Sequence, residues 1–163
     1  IYSAHTSLDV AADGINTRLA KKIGLKNSRP LIENGLGAIG ELEEEMNYTD
    51  FIGKIRALLD CTYVRYTRPK KEQVKTIALC GGSGAEFIGE AIAQGADVYI
   101  TADCKYHEFQ DAEGRIGLMD IDHWISERHA REIFLDFIGN LGLDCRISKT
   151  DKTPILLWQE QKN

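Results

Sequence analysis

Three short apolar runs, each followed by a helical or polar segment, constrain the fold of this chain more than any other feature. They are VKTIALC (74–80), DVYIT (97–101) and IGLMDI (116–121). Near-continuous apolar runs of this length are typical of strands buried on both faces. Helical spacing of apolar residues follows over 85–94 and 123–142. This order predicts an α/β fold: a layered, mixed and partly parallel sheet flanked by helices.

Weaker patterns predict further elements. Apolar spacing closed by a glycine predicts a helix over 12–23, and Thr49 or Asp50 precedes a similar pattern over 51–59. We expect residues 123–142 to form one long amphipathic helix. Strands are also predicted over 37–42, with an acidic turn after it, over 62–66, and as closing strands over 145–148 and 155–158. The remaining segments are a strand end and loop over 1–8, a connection over 26–37, and a loop with a short helix over 102–115.

Length and composition fit a single domain over residues 1–163. With 43% hydrophobic residues, a chain of 163 residues can bury a core. The net charge is −5 and the basic residues are scattered, and we interpret the one basic run, over 65–71, as a solvated loop. These features argue against nucleic-acid binding. No apolar run approaches the length of a membrane-spanning helix.

The cysteines also exclude a class of site. Cys61, Cys80, Cys104 and Cys145 form no CxxC pair, which argues against a structural zinc knuckle. Three of them lie in or at the end of apolar runs, where a free cysteine packs as a small hydrophobic residue. With no signal peptide and no disulfide spacing, the expected location is the reducing cytoplasm.

The strongest local signal for chemistry is the segment DIDHWISE (120–127). His123 and Glu127 are four residues apart at the start of a predicted helix, so their side chains share one face. An imidazole nitrogen and a carboxylate at this spacing can bind one divalent metal ion. The spacing alone also fits a solvated His–Glu pair on an ordinary helix, and such pairs are common.

Two other segments place similar residues after predicted strands. HTSLD (5–9) supplies His5 and Asp9, and TADCKYH (101–107) supplies Asp103 and His107. A loop at a strand end can hold a general acid or base. Taken singly, HTSLD fits a loop or capping aspartate and a satisfied polar histidine better, and TADCKYH fits a capping aspartate and a half-exposed histidine equally well.

The turn GGSG (81–84) allows further interpretations. It matches neither GxGxxG nor a Walker loop, but a glycine-rich turn before a helix could bind an anion. A degenerate nucleophile elbow with Ser83 as nucleophile is disfavoured, because no later histidine fits the chain order. A tight turn that packs helix on strand explains the glycines more simply. On the helix predicted over 123–142, His129 is interpreted as a surface residue and Phe134 as part of the core.

Taken together, five motifs resemble one family. HTSLD (5–9), GLGAIGEL (35–42), ALCGGSGAEFI (78–88), GADVYITADCKYHE (95–108) and DIDHWISE (120–127) resemble, in order and spacing, the "interacting factor three"-like proteins, also called GTP cyclohydrolase type 2 homologues or dinuclear-metal-centre hexameric proteins. The resemblance covers nearly the whole chain. It favours the metal-ligand interpretation over the single-motif alternatives.

The resemblance implies a site of two divalent metal ions in a homohexamer. Its metal ligands correspond to Asp9, His123 and Glu127, with Glu127 as the bridge between ions. His5 and His107 would line the cavity as candidates for substrate contact or proton transfer. The ligand types suit Zn, Fe, Mn or Co without selecting among them.

Three departures from the family pattern accompany these implications. The family's upstream His–His pair has no counterpart in a chain that starts at Ile1, so we expect an upstream part and some metal ligands to be missing. Asp122 stands where the family usually has glycine, and its carboxylate could crowd the site or orient a ligand. The inserted domain that some relatives carry near 28–35 is expected to be absent.

Three functional hypotheses follow. The first is a metal-dependent hydrolase acting on a nucleotide or another phosphorylated small molecule. The second is a non-catalytic metal-binding scaffold or regulator that acts through its homo-oligomer and protein partners. The third is a nucleotide-binding module that uses the GGSG turn, with metal only assisting.

Overall fold

A six-stranded mixed sheet organises the part of the chain that the computed structural model describes, residues 4–150 and 152–158. Its strand order is β1-β2-β4-β5-β6-β3. The central strands β4, β5 and β6 run parallel, and the other pairings are antiparallel. The strands are β1 (Lys26–Arg29), β2 (Ala38–Asn47), β3 (Arg65–Tyr66), β4 (Gln73–Ser83), β5 (Val98–Ala102) and β6 (Gly117–Asp120).

Seven helices accompany the sheet in the described chain. They are α1 (Thr6–Asp9), α2 (Ile15–Ile23), α3 (Tyr48–Leu58), α4 (Ile88–Ala93), α5 (Tyr106–Ala112), α6 (His123–Glu127) and α7 (Ala130–Asn140), with a 3-10 turn over Ala85–Phe87. Gly24 ends α2 in the left-handed conformation, at φ 90°. The Asn47 side chain caps α3 by accepting a hydrogen bond from the Thr49 N–H.

Apolar residues bury both faces of the sheet. On β4, Ile77 and Leu79 pack in one core with α2 and α3, while Ala78 and Cys80 pack in a second core with α4 and α5. This period-two division explains why the strand sequence is apolar without alternation. The predicted layered, partly parallel α/β fold is therefore confirmed.

Several predicted elements were wrong in extent. The acidic turn after residue 42 is part of β2, because its backbone pairs with β4 as far as Asn47. The connection over 26–37 contains β1, and the strand predicted over 62–66 is only two residues long. The strand end predicted over 1–8 lies partly outside the described residues, and α1 occupies Thr6–Asp9.

The predicted long helix is two helices with a turn at Arg128 and His129. The His129 carbonyl accepts hydrogen bonds from the N–H groups of Glu132 and Ile133, which starts α7 afresh. His129 is 2% exposed, so its assignment to the surface was wrong. Phe134 is 37% exposed, so its assignment to the core was wrong too, because α7 has no buried residue.

The closing strands predicted over 145–148 and 155–158 do not form. Both segments are irregular, and Cys145 and Ile147 border a cavity with Leu135 of α7. A strand needs a neighbouring backbone with which to form hydrogen bonds, and these two segments do not pair with an edge of the sheet. Among the described helices, none is long and apolar enough to span a membrane.

Candidate metal centre

The candidate site lies where the three parallel strands end. Gly82 is near the end of β4, Asp103 directly follows β5, and His123 begins α6 three residues after β6. Parallel strands present their carboxyl ends at one edge, which is where α/β folds place ligands. The topology thus brings together residues that are 20 to 41 positions apart in the sequence.

His123 is held between two carboxylates. Its Nδ1 lies 2.6 Å from Asp103 Oδ2, and its Nε2 lies 3.2 Å from Glu127 Oε2. Burial alone lowers the pKa of His123, but the hydrogen bond to Asp103 and the charge of Glu127 outweigh burial and raise it. A hydrogen bond from Nδ1–H to a carboxylate fixes the ring and directs the Nε2 lone pair toward a metal ion.

Asp9 joins this pair from the opposite end of the chain. It ends α1, and its carbonyl accepts a hydrogen bond of 3.2 Å from Asn16 Nδ2. Burial raises the pKa of the Asp9 carboxyl, and the charge of Glu127 raises it further, whereas His5 and His123 act in the opposite direction. The two carboxylates are therefore close enough to repel each other, and a bound cation would relieve that repulsion.

Gly82 lies directly against the Glu127 carboxylate. A Cβ at this position would lie 2.3 Å from Glu127 Oε1, and the glycine has φ +68°. Its N–H donates to Ser126 Oγ at 2.8 Å, which ties the strand end to α6. Both the space and the backbone conformation therefore require glycine here.

His123 and Glu127 are spaced as two ligands of one metal ion would be. The His123–Glu127 separation of 3.2 Å matches the spacing of about 3 Å expected for two ligands each about 2.1 Å from one ion. No group of three His, Cys, Asp or Glu residues within 4–150 and 152–158 is already arranged to hold an ion. His123 and Glu127 fit an ion as a pair, so an ion bound there would need further ligands.

Asp122 does not crowd the site. Its carboxylate accepts a hydrogen bond of 3.3 Å from the Ile125 N–H and lies 3.5 Å from the Tyr63 hydroxyl, so it caps α6. Its φ is +74°, a region in which glycine is favoured. A glycine would adopt this backbone conformation without strain, and the described contacts of the Asp122 carboxylate are with Ile125, at the start of α6, and with Tyr63.

Sequence reasoning missed three residues that hold the site together. Asp120 is buried, and its carboxylate pairs with Arg65. The same carboxylate accepts hydrogen bonds from the N–H groups of Cys104 at 2.9 Å and Asp122 at 3.3 Å. These bonds join the segment after β5 to the segment after β6. Asn16 accepts from the Gly81 N–H at 2.8 Å, and Ser126 accepts from Gly82. Each acts on a distant backbone N–H, which leaves no signal in sequence spacing.

His5 and His107 differ in their distance from the candidate ligands. His5 is exposed, contacts the Thr6 hydroxyl at 3.1 Å and lies close enough to Asp9 to affect its pKa. His107 is exposed on α5 and contacts Gln110 and the Tyr106 ring. The structure thus places His5 beside the candidate ligands and gives His107 no described contact with them.

The GGSG turn offers little to a phosphate. The N–H groups of Gly81, Gly82 and Gly84 donate to Asn16, Ser126 and Thr101 respectively. The turn leads into a 3-10 segment of three residues rather than a regular helix. Its backbone donors are therefore engaged, which argues against the nucleotide-binding hypothesis based on this turn.

Known proteins provide an independent comparison. A family model described as Duf34/NIF3 (NGG1p interacting factor 3) matches residues 1–154. A Nostoc sp. protein named "GTP cyclohydrolase 1 type 2 homolog" is 33% identical over 150 residues, covering 88% of this chain and 57% of the relative. A Clostridium perfringens protein of the same name is 36% identical over 134 residues, covering 78% and 51%. The chain thus spans a little over half the length of these relatives.

Solved structures share the fold. A Staphylococcus aureus hypothetical protein superposes with a TM-score of 0.81 at 26% identity, covering 94% of this chain and 67% of its own. A Bacillus cereus protein related to NIF3 superposes with a TM-score of 0.83 at 20% identity, covering 96% and 73%. Both similarities extend over nearly the whole described fold.

Proposed function

The chain belongs to the Duf34/NIF3 family, and from this premise we propose that it is a divalent-metal-dependent hydrolase of phosphorylated small molecules, nucleotides among them. Asp9, His123 and Glu127 are the proposed ligands. One observation carries the proposal: two mutually repelling carboxylates meet an oriented histidine at the ligand-binding edge of the sheet. A cation between His123 and Glu127 would be bound by both groups and would reduce the repulsion between Glu127 and Asp9.

The chemistry would be divided between metal and protein. When bound, one or two divalent ions would polarise a phosphoryl or carbonyl oxygen and lower the pKa of a water. Asp103 fixes the orientation of the His123 ring through a hydrogen bond, and Gly82 leaves room for the Glu127 carboxylate. His5, beside Asp9, is the proposed residue for proton transfer or substrate contact; His107 stays a weaker candidate.

The names of the relatives guide the choice of substrate. Two curated relatives are named as homologues of a GTP cyclohydrolase, which supports testing nucleotides first. Because the chain spans little more than half of them, their full activity is not carried over. The free thiols Cys61, Cys80 and Cys104 agree with the proposed cytoplasmic location.

Turnover of a panel of nucleotides and phosphoesters by the full-length protein tests the proposal. We expect hydrolysis that depends on added Mn²⁺ or Zn²⁺ and is abolished by Glu127→Gln. Glu132→Gln, an exposed carboxylate on α7, is the matched control and should retain activity. Equal turnover in both variants would contradict the role of Glu127.

A non-catalytic scaffold is the alternative, and an exposed surface favours it. Phe137 on α7, Leu141 directly after α7, and Leu156 and Trp158 are exposed apolar side chains. Large exposed apolar side chains, where they form one patch, are typical of an interface, either in a homohexamer or with a protein partner. A metal-loaded, inactive oligomer that Phe137→Glu dissociates would favour this alternative.

A further inference from the structure

A cavity of about 530 Å³ opens beside the candidate metal ligands. His123, Glu127 and the irregular segment over 153–155 are among the residues that line it. A cavity of this size accommodates a small organic ligand. Because it meets the proposed metal position directly, a molecule bound in it would place one of its groups at the metal.

Arg128 supplies a fixed positive charge on the cavity wall. Its Nη2 donates to the Leu59 carbonyl at 2.6 Å, and its guanidinium lies 5.3 Å from the centroid of the Trp124 ring. Within the described parts of the chain, no carboxylate lies within ion-pair distance of it. The guanidinium is thus held in place by neutral groups, which leaves its charge available to a ligand.

Apolar side chains also line the cavity. Ala130 and Phe134 come from α7, and Pro154 and Ile155 from the segment that faces it. Phe134 and Ile155 retain exposed surface, and a ligand would bury part of it. The wall therefore suits a ligand with both an oxyanion and an apolar ring.

We infer that this cavity binds the substrate, with Arg128 as the residue that anchors its phosphate and the Phe134 side as the site of its ring. The inference rests on the proposed function and specifies its substrate class: a phosphomonoester of a ring-containing small molecule. A planar guanidinium can bind two phosphate oxygens in parallel, and a third oxygen would stay available to a metal ion if His123 and Glu127 held one.

Calorimetric titration of the full-length protein with phenyl phosphate tests the inference, with and without Mn²⁺. Arg128→Gln should weaken binding by about tenfold or more, the usual effect of losing a charged hydrogen-bond donor. Arg115→Gln, an exposed arginine at the other end of β6, is the matched control and should bind as the wild type does. Phe134→Ala should weaken binding of phenyl phosphate but not of inorganic phosphate.

Arg128 also donates a hydrogen bond to the Leu59 carbonyl, so Arg128→Gln could lose binding because it folds poorly. Arg128→Lys, which keeps the positive charge, is the control for that effect. A folded lysine variant should bind phenyl phosphate more weakly than the wild type and more tightly than Arg128→Gln. No binding by the wild type, or equal binding by wild type and a folded Arg128→Gln, would overturn the inference.

Metal content of the same samples separates this inference from the metal proposal. Arg128→Gln should keep the metal that Glu127→Gln loses. If phenyl phosphate binds through Arg128 in a protein that takes up no metal, the cavity inference stands and the hydrolase proposal fails. If metal binds and Arg128→Gln has no effect on phenyl phosphate, the hydrolase proposal stands and the inference fails.

Discussion

Asp103 is the residue on which the orientation of His123 depends. It accepts from the imidazole at 2.6 Å and holds φ +57°, a conformation that aspartate tolerates at a modest cost in free energy. Asp103→Asn should lower metal affinity by about 10- to 100-fold, the usual effect of losing a partner of a metal-bound histidine. It should also lower the pKa of His123. Calorimetry with Mn²⁺ and NMR titration of the imidazole measure the two effects.

Asp144→Asn is the matched control, since Asp144 is an exposed carboxylate paired with Arg146. It should change neither quantity. Unchanged metal affinity in a folded Asp103→Asn protein would show that Asp103 does not orient a ligand.

Asp9 contributes a pH dependence to the metal-free protein. Its pKa in the folded state is raised by burial and by Glu127, so its ionisation disfavours the fold. This loss of folding free energy is absent below the pKa that Asp9 has in the unfolded chain. It appears as the pH rises through the higher pKa that Asp9 has in the folded protein. Asp9→Asn should therefore raise the melting temperature of the metal-free protein modestly at pH 7, and not at pH 3, while it weakens metal binding.

Thermal melts of chelated wild type and Asp9→Asn across that pH range measure this difference. An Asp9→Asn variant that is less stable than the wild type at pH 7 would show that the carboxylate supports the fold by a contact of its own. The same samples, titrated with Mn²⁺, report the loss of affinity.

At the scale of single residues, the sequence supplied candidate ligands but not the residues that support them. Asp9, His123 and Glu127 are candidates because their motifs resemble those of the family, and the structure brings His123 and Glu127 within 3.2 Å of each other. Asp120, Asn16 and Ser126 were missed because each binds a backbone N–H 16 to 65 residues away. Such contacts depend on the tertiary fold, which local spacing does not encode.

At the scale of elements, the end of β4 should be intolerant of side chains. In Gly82→Ala the new Cβ would meet Glu127 Oε1 at 2.3 Å, and φ +68° adds strain of about 1–2 kcal/mol. We expect loss of metal binding together with destabilisation of that order. Calorimetry and chemical denaturation measure the two effects.

Gly89→Ala provides the matched control for that substitution. Gly89 lies in α4 with open space around its Cα, so alanine should stabilise the protein by about 0.4–1 kcal/mol and leave metal binding unchanged. Normal metal affinity in Gly82→Ala would show that Glu127 does not need its present position.

The central elements were predictable and the peripheral ones were not. The strands β4, β5 and β6 are buried on both faces, so their apolar runs mark them directly. The strand part of β2 beyond Leu42 is acidic, and only its pairing with β4 makes it a strand. The division of α6 from α7 also escaped prediction, since apolar spacing continues through the turn at Arg128 and His129.

At the scale of the whole molecule, stability resides in the two cores of the sheet rather than in α7. Phe51 is 0% exposed and Phe134 is 37% exposed. Phe51→Ala should therefore cost about 3–5 kcal/mol of unfolding free energy. Phe134→Ala should cost about 1 kcal/mol or less, as is usual for a side chain outside the core.

Chemical denaturation of the two variants provides the comparison. Equal losses would show that α7 packs more tightly in solution than this structure indicates, for example against another subunit. A dependence of the Phe134→Ala loss on protein concentration would identify that subunit contact.

The central claim is a divalent-metal centre at Asp9, His123 and Glu127, and elemental analysis tests it most directly. The full-length protein, Glu127→Gln and the control Glu132→Gln would be equilibrated with Zn²⁺, Mn²⁺, Fe²⁺ or Co²⁺, desalted and measured by mass spectrometry. We predict one or two ions per chain in the wild type and the control, and loss in Glu127→Gln. An absence of metal in the wild type, or equal metal in all three, would contradict the account.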